Sequence, residues 1–227
     1  MILYNNLTRC SFLYRVNRFV AHCCIDGQDA VVHVKNTGRL AELLIPGATV
    51  YVTHSDNPAR KTSYDLVAVE NRGYVVNIDS QAPNRIVREW IQHGGWGEGV
   101  MDLRSEVTHG DSRFDFAFRR NGKQCYLEVK GVTLENGGIC AFPDAPTLRG
   151  VKHLNGLARA AAEGCDAFVL FVIQMTDVQY LHPNDATDPA FGAALRAAAA
   201  AGVTVLAMDC HVTQDSMTLQ KRVPVHL

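Results

Sequence analysis

The sequence predicts a two-domain α/β (α+β) protein, with a small β-barrel in residues 1–80 and a mixed sheet flanked by helices in residues 81–227. Two observations predict this division. Short runs of mixed apolar and polar residues, typical of strands, occupy the first eighty residues. Apolar residues at helical spacing begin near Gln81. A length of 227 residues fits one large or two small domains, since a domain typically has about 100–200 residues.

The first eighty residues predict a strand-rich domain. Asp26-Gly27 is a hairpin turn signal, and residues 39–44 fit one or two helical turns before Pro46-Gly47. Five or so strands with one short helix favour a small closed barrel, of which the OB-fold is the commonest example. The predicted strands cover residues 9–16, 19–25, 30–34, 48–53, 64–70 and 74–79.

The remainder of the chain alternates helices and strands. Pro83 begins a predicted helix over 84–92, and Asn121-Gly122 is a strong hairpin turn. The apolar run 167–173 is typical of a strand buried on both faces. The order predicts a mixed sheet flanked by helices. The other predicted strands cover 102–107, 113–118, 124–129, 138–142 and 203–208, and the other helices cover 147–163 and 189–201.

Composition excludes several classes of protein. The net charge is −1, from 22 Lys and Arg against 23 Asp and Glu, which excludes a basic nucleic-acid-coating protein and an acidic disordered tail. No apolar run approaches the roughly 20 residues of a membrane-spanning helix, and no signal peptide is recognisable. Seven cysteines without a C-x-x-C pair favour reduced thiols over disulfides, so we expect a cytoplasmic protein without membrane association.

Two strands of one predicted hairpin carry the residues that point most directly to chemistry. Glu128 and Lys130 are two residues apart and therefore face the same side of a strand. If Asp115 on the partner strand faces that side, two carboxylates and one ammonium converge. Two carboxylates can hold Mg²⁺ or Mn²⁺, and the lysine can orient a water or stabilise developing negative charge. The pattern indicates metal-assisted phosphodiester hydrolysis, and the alternative is a solvated strand face with an ordinary ion pair.

A third carboxylate and several polar residues are further candidates. Glu89, on the preceding helix, either reaches the metal site or is a solvated partner of neighbouring arginines. Residues at the entry to helix 147–163 either contact a phosphate or are solvated, and Gln174 is interpreted as a structural amide. The barrel aromatics Phe12, Tyr14, Phe19, Tyr51 and Tyr64 are interpreted as core rather than as stacking surfaces. The predicted nucleic-acid-binding residues are Lys35, Asn36, Thr37, Arg39, Arg60, Lys61, Arg113, Arg149, Lys152 and His153.

Several longer segments together resemble one family, the sugar fermentation stimulation protein A (SfsA) family. The segments occur in order from about residue 10 to the C-terminus. They are 34–40 (VKNTGRL), 60–62 (RKT), 64–67 (YDLV), 83–85 (PNR), 112–116 (SRFDF), 128–134 (EVKGVTL) and 142–147 (FPDAPT).

The resemblance implies an N-terminal OB-like domain joined to a domain of the PD-(D/E)XK nuclease superfamily. On that superfamily pattern, Asp115 and Glu128 would be metal ligands, Lys130 the catalytic lysine and Glu89 the helix carboxylate. The family is described as DNA-binding without clear sequence preference and as a regulator of sugar (maltose) metabolism genes.

Three functions remain open on the sequence. The first is a Mg²⁺- or Mn²⁺-dependent DNA nuclease, either endo- or exonuclease. The second is a non-specific DNA-binding regulator of sugar (maltose) metabolism genes without cleavage activity. The third is RNA or nucleotide binding by the barrel. The choice between single- and double-stranded DNA, and the oligomeric state, including a homodimer, are likewise left open.

Overall fold

The first half of the chain forms a closed barrel of β-strands. The computed structural model describes all of residues 1–227. The strands are β1 (Leu7–Asn17), β2 (Val20–Ile25), β3 (Gln28–Val34), β4 (Thr49–His54), β5 (Tyr64–Asn71) and β6 (Tyr74–Asn77). Their order in the sheet is β3-β2-β1-β4-β5-β6, and parallel pairing between β3 and β5 closes it.

The predicted helical segment 39–44 is only a turn. The amides of Leu43 and Leu44 both donate to the carbonyl of Leu40, and no helix follows. Leu40, Leu43 and Leu44 are buried in the barrel core. Apolar burial, rather than helix propensity, therefore accounts for the leucines in this segment.

The second half of the chain is a mixed six-stranded sheet with helices. Its strand order is β15-β14-β12-β9-β8-β7, in which β9, β12 and β14 are parallel to one another. A small sheet of order β10-β11-β13 lies beside it. The elements are α1 (Ala82–Gln92), β7 (Val100–His109), β8 (Ser112–Arg120), β9 (Lys123–Val132), β10 (Glu135–Asn136), β11 (Ile139–Phe142), α2 (Leu148–Ala162), β12 (Asp166–Ile173), β13 (Tyr180–Pro183), α3 (Pro189–Ala200), β14 (Thr204–Val212) and β15 (Met217–Arg222).

The predicted fold class is confirmed, and three short strands are additions to it. Strands β10, β13 and β15 were not predicted. In β15 only Met217 is buried and the other residues are polar or partly exposed, so an apolar pattern is missing. The seven cysteines are free thiols, as predicted, and none of the helices has the length and apolar character needed to cross a membrane.

A continuous core and a polar network join the two halves. Val34 and Leu66 of the barrel belong to the same apolar cluster as Phe171 and Ile173 of β12. At the boundary, the buried Gln174 amide donates to the carbonyl of Asn77 at 3.0 Å and to that of Asp79 at 3.1 Å. The buried Gln174 amide therefore has the structural hydrogen-bond partners expected of it.

Candidate metal and nucleic-acid site

The hairpin of β8 and β9 brings the two predicted carboxylates together. The two strands pair as far as Phe116 with Leu127, and Asp115 and Glu128 are the next residues along each strand. Asp115 Oδ2 accepts a hydrogen bond of 2.8 Å from the backbone amide of Val129. The side chain of Asp115 is therefore fixed directly against the segment that carries Glu128.

Glu128 is a buried carboxylate with one satisfied oxygen and one free oxygen. Only 3% of its surface is exposed. Its Oε1 accepts from Lys130 Nζ at 2.6 Å and also contacts His153 Nδ1. Its Oε2 is buried without a hydrogen-bond partner, which is rare and costly for a carboxylate oxygen.

The two carboxylates differ in their electrostatic surroundings. Burial, together with the charge of Glu128, raises the pKa of Asp115 above its usual value. Burial also acts to raise the pKa of Glu128, but the hydrogen bond to His153 and the charge of Lys130 outweigh it and lower that pKa. Glu128 is thus held ionised, and its charge makes ionisation of Asp115 unfavourable when no cation is present.

His153 belongs to this cluster rather than to the protein surface. It was predicted to contact a phosphate, but it is 6% exposed and its Nδ1 faces Glu128. Its Nε2 accepts from Arg149 Nε at 3.4 Å. Thr147 caps the N-terminus of α2 through a hydrogen bond of 3.0 Å from Gly150 N, and His153 lies on the buried side of that helix.

Glu89 does not join the carboxylate pair. Its Oε2 lies 3.3 Å from the N-terminal ammonium of Met1. Instead, Asn84 of the same helix donates to Asp115 Oδ1 at 2.8 Å. Residues five apart on a helix are about 140° apart around its axis, so Asn84 and Glu89 face different directions. Of the two roles left open for Glu89, the structure therefore shows an ion pair outside the cluster, and the contact from Asn84 was not predicted.

The pair of carboxylates fits a hard divalent cation. No group of three or more His, Cys, Asp or Glu side chains is placed to hold a metal ion. Mg²⁺, however, is usually held by one or two carboxylates with water and substrate oxygens as the remaining ligands. The free Oε2 of Glu128 and the carboxylate of Asp115 supply such a donor set. A bound cation would give Oε2 a partner and would offset the repulsion between the two carboxylate charges.

Two hollows border this site. Asp115, Asn84, Arg85 and Arg88 line a small hollow of about 200 Å³ between α1 and β8. A larger cleft, of about 770 Å³, lies between the barrel and the second domain, and we call it the interdomain cleft. Gly131, which directly follows Lys130, lines that cleft.

Three of the segments that carry the family resemblance line the interdomain cleft, namely 34–40, 128–134 and 142–147. The backbone amide of Arg39 donates to Asp144 Oδ2 at 2.8 Å. A Cβ atom on Gly38 would lie 2.3 Å from the same oxygen, so only glycine allows this approach. The loops 36–39 and 142–147 therefore meet directly and form one wall of the cleft.

Of the ten predicted nucleic-acid-binding residues, three line the interdomain cleft. These are Asn36, Thr37 and Arg39. Lys61 and Lys152 are exposed at other positions on the surface.

Four other predicted contacts are paired within the protein. Lys35 Nζ lies 2.8 Å from a carboxylate oxygen of the buried Asp79. Arg60 forms a bidentate ion pair with Asp65. Arg113 Nε lies 2.9 Å from a carboxylate oxygen of Glu106. Arg149 donates to His153. Arg15 and Arg18 also line the cleft, and they were not predicted because they lie outside the recognised segments.

Comparison with known proteins agrees with this architecture. The family description "SfsA N-terminal OB domain" matches residues 13–78, and "Sugar fermentation stimulation protein RE domain" matches residues 81–216. The chain belongs to the SfsA family. A sugar fermentation stimulation protein homolog of Desulfitobacterium hafniense (strain DSM 10664 / DCB-2) is 48% identical over 224 residues, which are 99% of this chain and 98% of that protein.

Two further SfsA relatives match the whole chain. The Clostridium beijerinckii homolog is also 48% identical over 224 residues, covering 99% of each protein. The solved structure described as Pyrococcus furiosus SfsA in complex with Ca²⁺ has a TM-score of 0.91 at 29% identity and covers 100% of both chains. The SfsA fold is therefore shared along the full length.

Proposed function

We propose that this SfsA protein hydrolyses phosphodiester bonds of DNA with Mg²⁺ or Mn²⁺ held by Asp115 and Glu128. The observation that carries the proposal is the unpartnered, buried Oε2 of Glu128 beside a second carboxylate. The description of the P. furiosus SfsA structure as a complex with Ca²⁺ supports a hard divalent ion in this family. The OB domain matched at residues 13–78 supports nucleic acid as the substrate.

The side chains of the cluster have distinct roles in this proposal. A bound divalent ion supplies a water of lowered pKa and neutralises phosphate charge. Asn84 and the Val129 amide hold Asp115 in a fixed orientation. Lys130 uses one of its three ammonium protons on Glu128 at 2.6 Å, so two remain to orient a water or a phosphate oxygen.

Metal-dependent cleavage of labelled DNA tests this proposal. Purified protein is incubated with single- and double-stranded DNA in Mg²⁺, in Mn²⁺ and in EDTA. We expect cleavage in both metals, none in EDTA, and loss of at least a hundredfold in Glu128→Gln and Lys130→Ala.

The matched control is Glu89→Gln. This glutamate pairs with the N-terminus outside the cluster, so its loss is expected to leave cleavage unchanged. Cleavage that persists in Glu128→Gln, or that is absent from the wild-type protein on every DNA with either metal, would contradict the assignment.

A second candidate function is DNA binding without cleavage, as a regulator of sugar (maltose) metabolism genes. The observation that favours it is the double contact of Glu128 Oε1 with Lys130 and His153, which balances the carboxylate charge without a metal. Under this candidate, DNA binding persists in EDTA, weakens with salt, and is not accompanied by product. We propose a cytoplasmic location for either role, in keeping with seven free thiols.

A further inference from the structure

The outer surface of the barrel carries two exposed aromatic rings, one on β1 and one in the turn that follows it. Tyr14 on β1 is 50% exposed, and Phe19 in the turn between β1 and β2 is 48% exposed. The other candidate aromatics are more enclosed: Phe12 and Tyr51 are buried and Tyr64 is half-buried. Tyr14 and Phe19 therefore depart from the interpretation of the barrel aromatics as core.

Tyr14 belongs to an ordered aromatic stack. Its ring lies parallel to that of His22, with centroids 4.5 Å apart and an angle of 13° between the planes. His22 Nδ1 in turn lies 2.7 Å from Asp29 Oδ1 on β3. These contacts hold the ring of Tyr14 in place while half of its surface stays in water, so it loses little freedom when a ligand stacks on it.

The β1–β2 turn connects the segment that carries the exposed rings to the interdomain cleft. Asn17 and Arg18 line the cleft, and Phe19 is the next residue along the chain. The guanidinium of Arg15 donates to five carbonyls, from Asn17 and Arg18 in the turn and from residues 36, 38 and 39 in the opposite loop. Arg15 thus fixes the turn against the cleft wall.

Arg18 is the free cation of this region. Its side chain is exposed and makes no hydrogen bond or ion pair within the protein. An unpaired guanidinium between exposed aromatic rings and a polar cleft is the combination that binds the bases and phosphates of an unpaired strand. A purely apolar protein partner would leave Arg18 without a counterpart.

We infer that Tyr14 and Phe19 stack the bases of an unpaired DNA strand, with Arg18 on its phosphates and the interdomain cleft leading it toward Gly131 and Lys130. We call the surface formed by Tyr14, Phe19 and Arg18 the strand platform. The inference rests on the proposed function, because it names the strandedness of the DNA that reaches Glu128. In a duplex the base faces are stacked on one another, so only an unpaired strand can offer them to the platform.

Fluorescence anisotropy in EDTA tests the platform without cleavage. The probes are fluorescein-labelled (dT)20, a 20-base-pair duplex and (rU)20. We expect (dT)20 to bind more tightly than the duplex and at least as tightly as (rU)20. Removing one ring in Tyr14→Ala or Phe19→Ala should weaken (dT)20 binding about 5-fold to 100-fold and leave duplex binding unchanged.

Matched variants separate stacking from general apolar contact. Val31→Ala removes an exposed apolar side chain that pairs with His22 on the same outer face, and it should retain full (dT)20 binding. Tyr14→Phe keeps the ring and should retain most of the affinity. Thermal melting of each variant should match the wild-type protein, since exposed side chains are removed.

Several outcomes would overturn the inference. One is equal (dT)20 binding in the wild-type protein and the ring variants, and another is a preference for duplex. Tighter binding of (rU)20 than of (dT)20 would identify RNA rather than DNA as the ligand of the platform. Loss of self-association rather than loss of (dT)20 binding in Tyr14→Ala would assign the face to a protein contact. Because these measurements exclude metal, a failed platform with intact Mg²⁺-dependent cleavage leaves the proposed function standing.

Discussion

Replacing Lys35 with methionine is expected to destabilise the protein by about 3 kcal/mol. Asp79 is fully buried, and its Oδ2 accepts from Lys35 Nζ at 2.8 Å. Removing one partner of a buried ion pair costs about 3–5 kcal/mol, because the remaining charge is left uncompensated. The lower end applies because Tyr4 OH at 3.2 Å and Gln81 N at 2.9 Å still donate to Asp79.

Thermal unfolding followed by circular dichroism measures this effect. For a chain of this size, 1 kcal/mol corresponds to about 2–4 °C, so Tm should fall by about 6–12 °C. Lys61→Met is the matched control, since Lys61 is exposed and has no ion pair, and it should change Tm by no more than about 1–2 °C. The double variant Lys35→Met/Asp79→Asn should recover part of the loss, because the uncompensated charge is gone.

One result would refute the reasoning. If Lys35→Met melts within about 2 °C of the wild-type protein and loses affinity for DNA, the lysine contacts phosphate, as the sequence predicted, and its pairing with Asp79 contributes little. A large fall in Tm with unchanged DNA affinity at matched salt identifies Lys35 as a structural cation.

Two further predictions concern the acidic cluster. Asp115→Asn should raise the free energy of unfolding in EDTA by about 1 kcal/mol, because it removes a half-buried charge that is close to the charge of Glu128. The side-chain amide of Asn84 can rotate so that its oxygen accepts from the amide introduced at position 115. A lower free energy of unfolding in urea for Asp115→Asn than for the wild-type protein would contradict this prediction. His153→Ala should weaken Ca²⁺ or Mn²⁺ binding in calorimetry about 10-fold to 100-fold, because the orienting contact to Glu128 is lost. His153→Gln should retain part of the affinity, and unchanged affinity in His153→Ala would show that Glu128 needs no such support.

The sequence predicted the sheets well wherever burial produces a clear pattern. The apolar run of β12 is buried at seven of its eight residues, and the hairpin turn at Asn121-Gly122 joins β8 and β9 as expected. Strand β15 was missed because it pairs only with β14 and is largely exposed. A strand of this kind is held by backbone pairing, which leaves little trace in side-chain hydrophobicity.

The carboxylate pair could be predicted because both residues lie on one hairpin. A period of two residues fixes the face of Glu128 and Lys130, and the short turn brings Asp115 next to Val129, whose amide donates to it. The residue of α1 that reaches Asp115 could not be predicted in the same way. Which side of α1 faces β8 depends on tertiary packing, and there the amide of Asn84 is the group that reaches Asp115.

The basic residues show the limit of reasoning from charge alone. A lysine or arginine in a polar loop looks the same in sequence whether it is free or paired with a distant carboxylate. Lys35 and Asp79 are 44 residues apart, and Arg113 pairs with Glu106 across a hairpin. Conversely, Arg18 is marked by no motif, and only the fold reveals that it is unpaired at the cleft.

The polar network at the domain boundary links the barrel directly to the strand that carries Lys130. A Cβ atom on Gly131 would lie 2.4 Å from Gln174 Oε1, so the strand end that carries Lys130 packs directly on this amide. The same amide donates to the carbonyls of Asn77 and Asp79 at the end of the barrel. Under the proposed function, a DNA strand held on the platform is positioned relative to Lys130 across this buried amide, whose nitrogen donates to both carbonyls, rather than across a flexible linker. Rigid placement of this kind is what hydrolysis at a fixed phosphate requires.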